Sequence, residues 1–382
     1  MQNFTFHNPT KIIFGRDTIS SLQAEIPPSA RVLVTYGGGS AERNGVLKQV
    51  REALKAHTFF EFGGIEPNPT YETLIKAVAL GRTQKIDFLL AVGGGSVIDG
   101  TKFIAAAIPF AGEPWDLLAK RVPVTQAVPL GCVLTLAATG SEMNSGAVIS
   151  KAATKDKLVF RHPLLHPAFS VLDPSVTFSL PPRQTGNGIV DAFVHVLEQY
   201  LTYPAAAPVQ DRMAEGLLLT LIEEGPKALA TPSDYEARAN LMWAATMALN
   251  GVIGQGVPHD WSTHALGHEL TALYGLDHAQ ALAIILLPNL SLRRAAKREK
   301  LLQYAARVWN LDISAPEEAI DQALQKTRDF FESVGVPTTM KGHGLTCDVE
   351  VCLAQLARHD RTALGEKGDL TLTQARQIFE SL

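Results

Sequence analysis

Cysteine is scarce in this chain: Cys132, Cys347 and Cys352 are the only three among 382 residues. Thiols so few and scattered exclude a disulfide framework and fit a reducing compartment. An excess of one charge is missing too. The 34 Lys and Arg against 38 Asp and Glu leave a net charge of -4, which removes any general attraction to nucleic acid or an anionic membrane. No apolar run approaches the roughly 18 residues of a membrane span without a charge, proline or glycine breaking it. The opening Met1–Pro9 lacks the basic and apolar regions of a signal peptide. The expectation is a cytoplasmic protein with neither membrane nor nucleic acid as partner. What is present, 46% hydrophobic and 19% charged residues, is the composition of an ordinary globular chain long enough for two domains or one large one.

Up to about residue 180, short apolar runs alternate with helical patterns. Arg31–Tyr36 and Ile86–Val92 read as buried strands, and a further strand is expected over Val128–Leu136. Helices are expected at roughly 41–56, 70–84 and 96–107. Apolar strands between helices predict a parallel sheet covered on both faces, a doubly wound α/β domain over residues 1–180. After Pro181-Pro182 the texture changes. Amphipathic stretches at roughly 184–202, 206–224, 234–251, 260–274 and 316–334 predict a mostly helical domain over residues 181–382.

Gly93-Gly94-Gly95-Ser96 follows directly on the Ile86–Val92 run and opens the next helix. Glycines there let backbone N–H groups approach a pyrophosphate, and the helix N-terminus favours the negative charge. The plainer alternative is a strand-to-helix turn with Ser96 as N-cap and Asp99 completing a capping box. Tyr36-Gly37-Gly38-Gly39-Ser40 ends the earlier strand. In dinucleotide folds an acid at such a tip binds the ribose 2′-hydroxyl. This tip carries none. Ser40, exposed N–H groups and Arg43 can accept a 2′-phosphate, with Glu42 partly offsetting Arg43, so NADP(H) is favoured over NAD(H). A third turn of small residues, Thr135–Glu142, either lines a cofactor groove or merely caps a turn.

Asp191 and His195 are four apart, as are His264 and His268, and His278 follows Gly275-Leu276-Asp277. The i, i+4 spacing puts each pair on one helix face. One ion held by four of these five residues explains the set economically, and imidazole with carboxylate suits Fe(II), Zn(II) or a similar first-row ion. Taken singly, a histidine on a helix is more often a satisfied core or surface residue, and Asp191 can be an acid in a first helical turn.

Gly93-Gly94-Gly95-Ser96-x-x-Asp99, Thr139-Gly140-Ser141-Glu142 and the aspartate–histidine set occur here in one order. Together with the opening Phe6-x-x-Pro9-Thr10-Lys11-Ile12-Ile13-Phe14-Gly15, they resemble the iron-containing (group III) alcohol dehydrogenases over nearly the whole chain. Within that family the chain most resembles the bacterial NADPH-dependent butanol dehydrogenases and broad-range aldehyde reductases. The resemblance implies an N-terminal dinucleotide-binding α/β domain, an all-helical C-terminal domain and a metal site in the cleft between them. It implies Asp191, His195, His264 and His278 as metal ligands and His268 as a further active-site histidine. It places Gly38, Ser40, Asn68, Gly94, Gly95, Ser96, Asp99, Thr135, Thr139, Asn144 and Lys157 along the cofactor groove. Many family members carry glycine after the last ligand where this chain has Ala279. The implied activity is reversible, NADP(H)-dependent reduction of small aldehydes to primary alcohols by a homodimer with one Fe(II) or Zn(II). Polyol or glycerol-phosphate dehydrogenase chemistry on the same fold, and a silent NADPH-binding sensor, are the alternatives.

Overall fold

The computed structural model describes residues 1–382, which divide into two compact units. One holds His7–Leu180 with Pro232–Thr246; the other holds Met1–Phe6, Pro181–Thr231 and Met247–Leu382.

The strands of the first unit are β1 (Lys11–Phe14), β2 (Arg31–Tyr36), β3 (Thr58–Phe62), β4 (Phe88–Gly93), β5 (Leu130–Leu134), β6 (Gly146–Lys151), β7 (Asp156–Arg161) and β8 (Phe169–Leu172). Six of them make one parallel sheet in the order β1-β8-β5-β4-β2-β3, and β6 and β7 form a separate antiparallel hairpin. The helices are α1 (Leu22–Glu25), α2 (Ser40–Arg43), α3 (Val46–Ala53), α4 (Tyr71–Thr83), α5 (Gly95–Ala107) and α6 (Asp116–Ala119). Side chains alternate across the sheet as the pleat requires. Leu33, Leu89, Ala91, Leu130 and Cys132 pack with Leu74, Val78, Phe103 and Ile104 of α4 and α5. Val32, Val34, Leu90, Val92 and Val133 pack on the opposite face with Leu22, Val46, Leu47 and Val50 of α1 and α3. Both faces are dry, which explains the near-continuous apolar strands. The helix expected over 41–56 is instead two, α2 and α3, parted at Asn44-Gly45, where Gly45 takes φ 82° and no interior helical residue fits.

From β2 the chain moves outward to β3, then returns across β2 to enter β4 on its other side. Such a reversal opens a crevice beyond the carboxyl ends of the two strands, where open α/β sheets bind ligands. The turns at those two ends are Gly37–Ser40 and Gly93–Ser96.

The remaining helices are α7 (Pro182–Tyr200), α8 (Pro208–Ala230), α9 (Tyr235–Ala248), α10 (Ser262–Tyr274), α11 (His278–Leu292), α12 (Arg298–Arg307), α13 (Pro316–Ser333), α14 (Val349–Arg358) and α15 (Leu372–Glu380), with only a short β9 (Ala363–Leu364) and β10 (Leu370–Thr371) between the last two. Most of α9 belongs to the first unit, for definite reasons. Arg16 lies 3.7 Å over the Tyr235 ring, Trp243 meets Phe14 edge-on at 6.1 Å, and the Thr246 hydroxyl donates to buried Glu142 at 2.6 Å. In the helical unit Leu266 and Leu270 of α10, Ile284 and Ile285 of α11, Leu356 of α14 and Phe379 of α15 share one core. Each such side chain stabilises the fold by about 1.5–3 kcal/mol through burial. Phe193 anchors α7 against Phe330 and Phe331 of α13, with ring centroids 5.4 Å apart. No helix is long and apolar enough to cross a membrane.

Candidate metal centre and nucleotide groove

Three helices of one unit deliver the ionisable cluster. Asp191 and His195 stand one turn apart on buried α7, His264 sits in the first turn of α10, and His278 is the first residue of α11. The start of α11 is held firmly. Asp277 is its N-cap, closes a capping box with Gln280, and accepts from Arg183 at 2.6 Å and Asn187 at 2.8 Å, both on α7. One ligand-type atom from each of Asp191, His195, His264 and His278 lies within 4.8 Å of the others. Asp191 Oδ1 is 3.7 Å from both His195 Nδ1 and His278 Nε2, too far for hydrogen bonds. Two donors about 2.1 Å from one tetrahedral ion stand roughly 3.4 Å apart, so the spacing matches shared ligation better than ion pairing.

The protonation states agree. His195 Nδ1 is buried without a hydrogen bond. Burial, with His264 stacked at 4.6 Å, pushes this imidazole well below its usual pKa. A neutral imidazole with a bare lone pair is what a cation needs. His268 lies beside the group rather than in it, its ring 5.4 Å from that of His278 and 6.3 Å from that of His264.

Glu198 was not singled out in the sequence, although it continues the Asp191/His195 face of α7 by one more turn. Its buried carboxylate accepts from the Thr263 backbone N at 2.6 Å, the His264 backbone N at 3.3 Å and His264 Nδ1. The first two are orphan donors of the α10 N-terminus. With Glu198 ionised, the third places a proton on Nδ1 and leaves Nε2 as the ligating atom. Burial, then the nearby Asp260 charge, push the Glu198 carboxyl well above its ordinary pKa, and these donors oppose that shift. Asp260 is itself buried, yet Lys297 at 2.7 Å and Arg293 at 2.8 Å hold it below the usual carboxylate range. Trp261, next to Asp260 in the chain, takes φ 59°, and its ring meets His264 edge-on at 5.2 Å. A bulky residue in the left-handed region costs about 1–3 kcal/mol and persists where surroundings enforce it.

In the other unit, Gly94 rather than Ser96 caps α5, its carbonyl accepting from Val97 and Ile98 N at 3.1 Å. A Cβ on Gly95 would come within 2.4 Å of Thr139 Oγ1, so only glycine lets the two turns meet. Ser96 Oγ instead accepts from Asn68 N at 3.3 Å, and Asn68 Oδ1 accepts from Lys157 Nζ at 2.7 Å. Asp99 completes no capping box. It accepts from the Ser141 hydroxyl at 2.6 Å and from Val148 N at 2.8 Å. Asn144 donates to the Gly140 carbonyl at 2.8 Å, and Thr135 N to Gly93 O at 3.0 Å. These bonds tie Asn68, Ser96 and Lys157 into one group and Asp99, Asn144 and the 139–148 segment into another along α5.

Lys102 is a second residue that no sequence motif marks. Its fully buried Nζ donates to Ser141 O at 2.7 Å, Ser141 Oγ at 2.8 Å, Gly146 O at 2.8 Å and Asn144 Oδ1 at 3.1 Å. Burial pushes its pKa down to about 8. At the β2 tip Gly38 has open space around it, and Ser40 begins α2. Arg51 binds Glu42 at 2.8 Å and Glu61 at 2.7 Å, which leaves the Arg43 charge less offset by Glu42 than the sequence suggests.

Comparison with known proteins agrees with this geometry. Residues 9–174 match the family described as "Iron-containing alcohol dehydrogenase", and residues 185–382 match "Fe-containing alcohol dehydrogenase family, C-terminal". The chain is 57% identical over 385 residues to the NADPH-dependent aldehyde reductase YqhD of Escherichia coli, covering 100% of both. It is 44% identical over 351 residues to a probable NADH-dependent butanol dehydrogenase 1 of Bacillus subtilis, covering 90% of each. The crystal structure of E. coli K-12 YqhD superposes with a TM-score of 0.98 at 56% identity, covering 100% of this chain and 98% of that one. This chain belongs to the iron-containing alcohol dehydrogenase family.

Proposed function

We propose that this protein is an NADPH- and metal-dependent reductase that converts aldehydes reversibly to primary alcohols. The observation that carries the reading is the convergence of three imidazoles and one carboxylate within 4.8 Å, in a chain whose sheet turns glycine-rich at its topological switch point. Asp191, His195, His264 and His278 hold the ion, either Fe(II) or Zn(II). When bound, the metal supplies a Lewis acid for the carbonyl oxygen and NADPH supplies the hydride.

The chain's own residues do the rest. Gly94 and Gly95 expose the α5 N-terminus to the pyrophosphate, and Thr135 and Thr139 line the same groove from the end of β5. Asn68, Ser96, Asp99, Asn144 and Lys157 position the ribose and nicotinamide half. Gly38 and Ser40 receive the 2′-phosphate beside Arg43. The pairing of Glu42 with Arg51 favours NADPH here, although the Bacillus relative carries an NADH-dependent name. His268, buried beside the ligands, moves the proton that the alkoxide needs. The three free thiols fit the cytoplasm, and the family fits a homodimer.

The test is NADPH oxidation with butanal, before and after chelation and with Zn(II) or Fe(II) returned. Activity lost and then restored by one ion is expected. No turnover with NADPH or NADH under either ion overturns the reading in favour of a silent nucleotide-binding protein. Faster turnover of glycerol or its phosphate than of short aldehydes overturns the substrate class.

A further inference from the structure

Two of the three cysteines, both outside the site described above, are in contact. Cys347 Sγ and Cys352 Sγ lie 3.7 Å apart at the start of α14. Asp348 is the N-cap of that helix, its side chain accepting from Val351 N. Cys347 therefore precedes the cap and Cys352 is the fourth helical residue. A pair of apolar side chains at these positions packs together and fixes the angle at which the chain enters a helix. Here both members are thiols. Cys347 is half-buried between exposed Thr346 and Asp348, whereas Cys352 is fully buried beneath it. The Tyr274 hydroxyl accepts from Asp348 N at 2.7 Å and engages both sulfurs.

We propose that Cys347 and Cys352 form a peroxide-reactive dithiol that closes reversibly to an intramolecular disulfide. Geometry assigns the roles. Cys347 is reachable from solvent and sits before a helix N-terminus, a place that favours thiolate. The Cys352 thiol, then Tyr274, donate to it and lower its pKa, while the same bond and burial raise that of Cys352. The Cys347 thiolate attacks an oxygen of a hydroperoxide ROOH and breaks the O–O bond. Sulfur takes OH, and RO⁻ collects the proton that Cys347 shed and leaves as ROH. Cys352 sulfur then attacks the sulfenic sulfur, and its proton departs with the hydroxyl as water. Two thiols and one hydroperoxide thus give one disulfide, one alcohol and one water. On closure the sulfurs move from 3.7 Å to about 2.05 Å. Cys132 takes no part, because it is buried in the sheet and its pKa is pushed up to about 12 by that burial.

The whole protein is exposed to hydrogen peroxide, quenched, alkylated in denaturant and weighed intact. Untreated protein is expected to take three alkyl groups, matching its three cysteines. Treated protein is expected to take one, on Cys132, and to regain all three after dithiothreitol. Cys347→Ser is expected to keep both of its remaining thiols under the same exposure. Cys352→Ala is expected to trap the sulfenic acid as a dimedone adduct on Cys347. Full alkylation after peroxide, a disulfide only between chains, loss that dithiothreitol does not reverse, or no dimedone adduct in Cys352→Ala would each overturn the proposal.

Discussion

Glu198 shows how much one side chain can decide in a metal centre. It satisfies two backbone donors at the start of α10 and orients the His264 ring in one tautomer. Replacing it by glutamine keeps shape and burial but turns a pure acceptor into a group that also donates. The amide N–H can donate to Nδ1, which favours the tautomer with the proton on Nε2, and that nitrogen then cannot ligate. Glu198→Gln is expected to weaken Zn(II) or Fe(II) affinity by about 10–100-fold, read by competition with a coloured chelator. Unchanged affinity would remove Glu198 from the metal site. Arg43 gives the matching prediction for the cofactor. A charge-assisted bond to a 2′-phosphate contributes about 1.5–3 kcal/mol. Arg43→Ala should therefore lower kcat/KM for NADPH by about 10–150-fold while leaving that for NADH unchanged. An equal loss with both cofactors would mean that the residue only shapes the α2 turn.

Helix α5 acts as an element, because Asp99 and Lys102 on it clamp the segment from Ser141 to Val148. Lys102 also gives folding a pH dependence. Its pKa falls to about 8 in the folded chain from the ordinary lysine value of 10.5, so between those values the unfolded chain binds more protons. Stability contributed by this residue therefore rises with pH across that window, by up to about 1.4 kcal/mol per pH unit. Lys102→Met should abolish the rise, which urea unfolding at several pH values from 8 to 10 would measure. A slope identical to wild type would show that Lys102 titrates elsewhere. At this scale the sequence was legible where a pattern was long and both of its ends were marked. The strand read over Arg31–Tyr36 and the helices at Tyr71–Thr83 and Pro316–Ser333 lie where periodicity put them. Strands β1 and β3 went unread because they are edges, short and half-exposed, without the apolar run of a central strand. The β6–β7 hairpin carries Lys157, Asp156 and Lys151, which masks its alternation. Within the site, the i, i+4 spacings exposed the aspartate and histidines. Glu198 and Lys102 stayed hidden because a lone charged residue in an apolar helix gains its meaning only from a partner far along the chain.

Across the whole molecule the two sets of site residues separate cleanly. Asp191, His195, His264, His268 and His278 all fall in the helical unit, whereas every residue proposed for the nucleotide groove, from Gly38 to Lys157, falls in the α/β unit. No residue serves both sets. Removing a ligand should therefore uncouple turnover from cofactor binding. Asp191→Asn keeps the volume of the side chain and deletes the only negative ligand, so the ion loses its strongest electrostatic partner in a buried site. The variant is expected to lose both bound metal and aldehyde reduction while its NADPH dissociation constant, followed by nucleotide fluorescence, stays at the wild-type value. Retention of full activity would displace Asp191 from the metal centre. A large fall in NADPH affinity with the fold intact by circular dichroism would instead mean that the ion itself helps to bind the cofactor, and that the two sets act as one site.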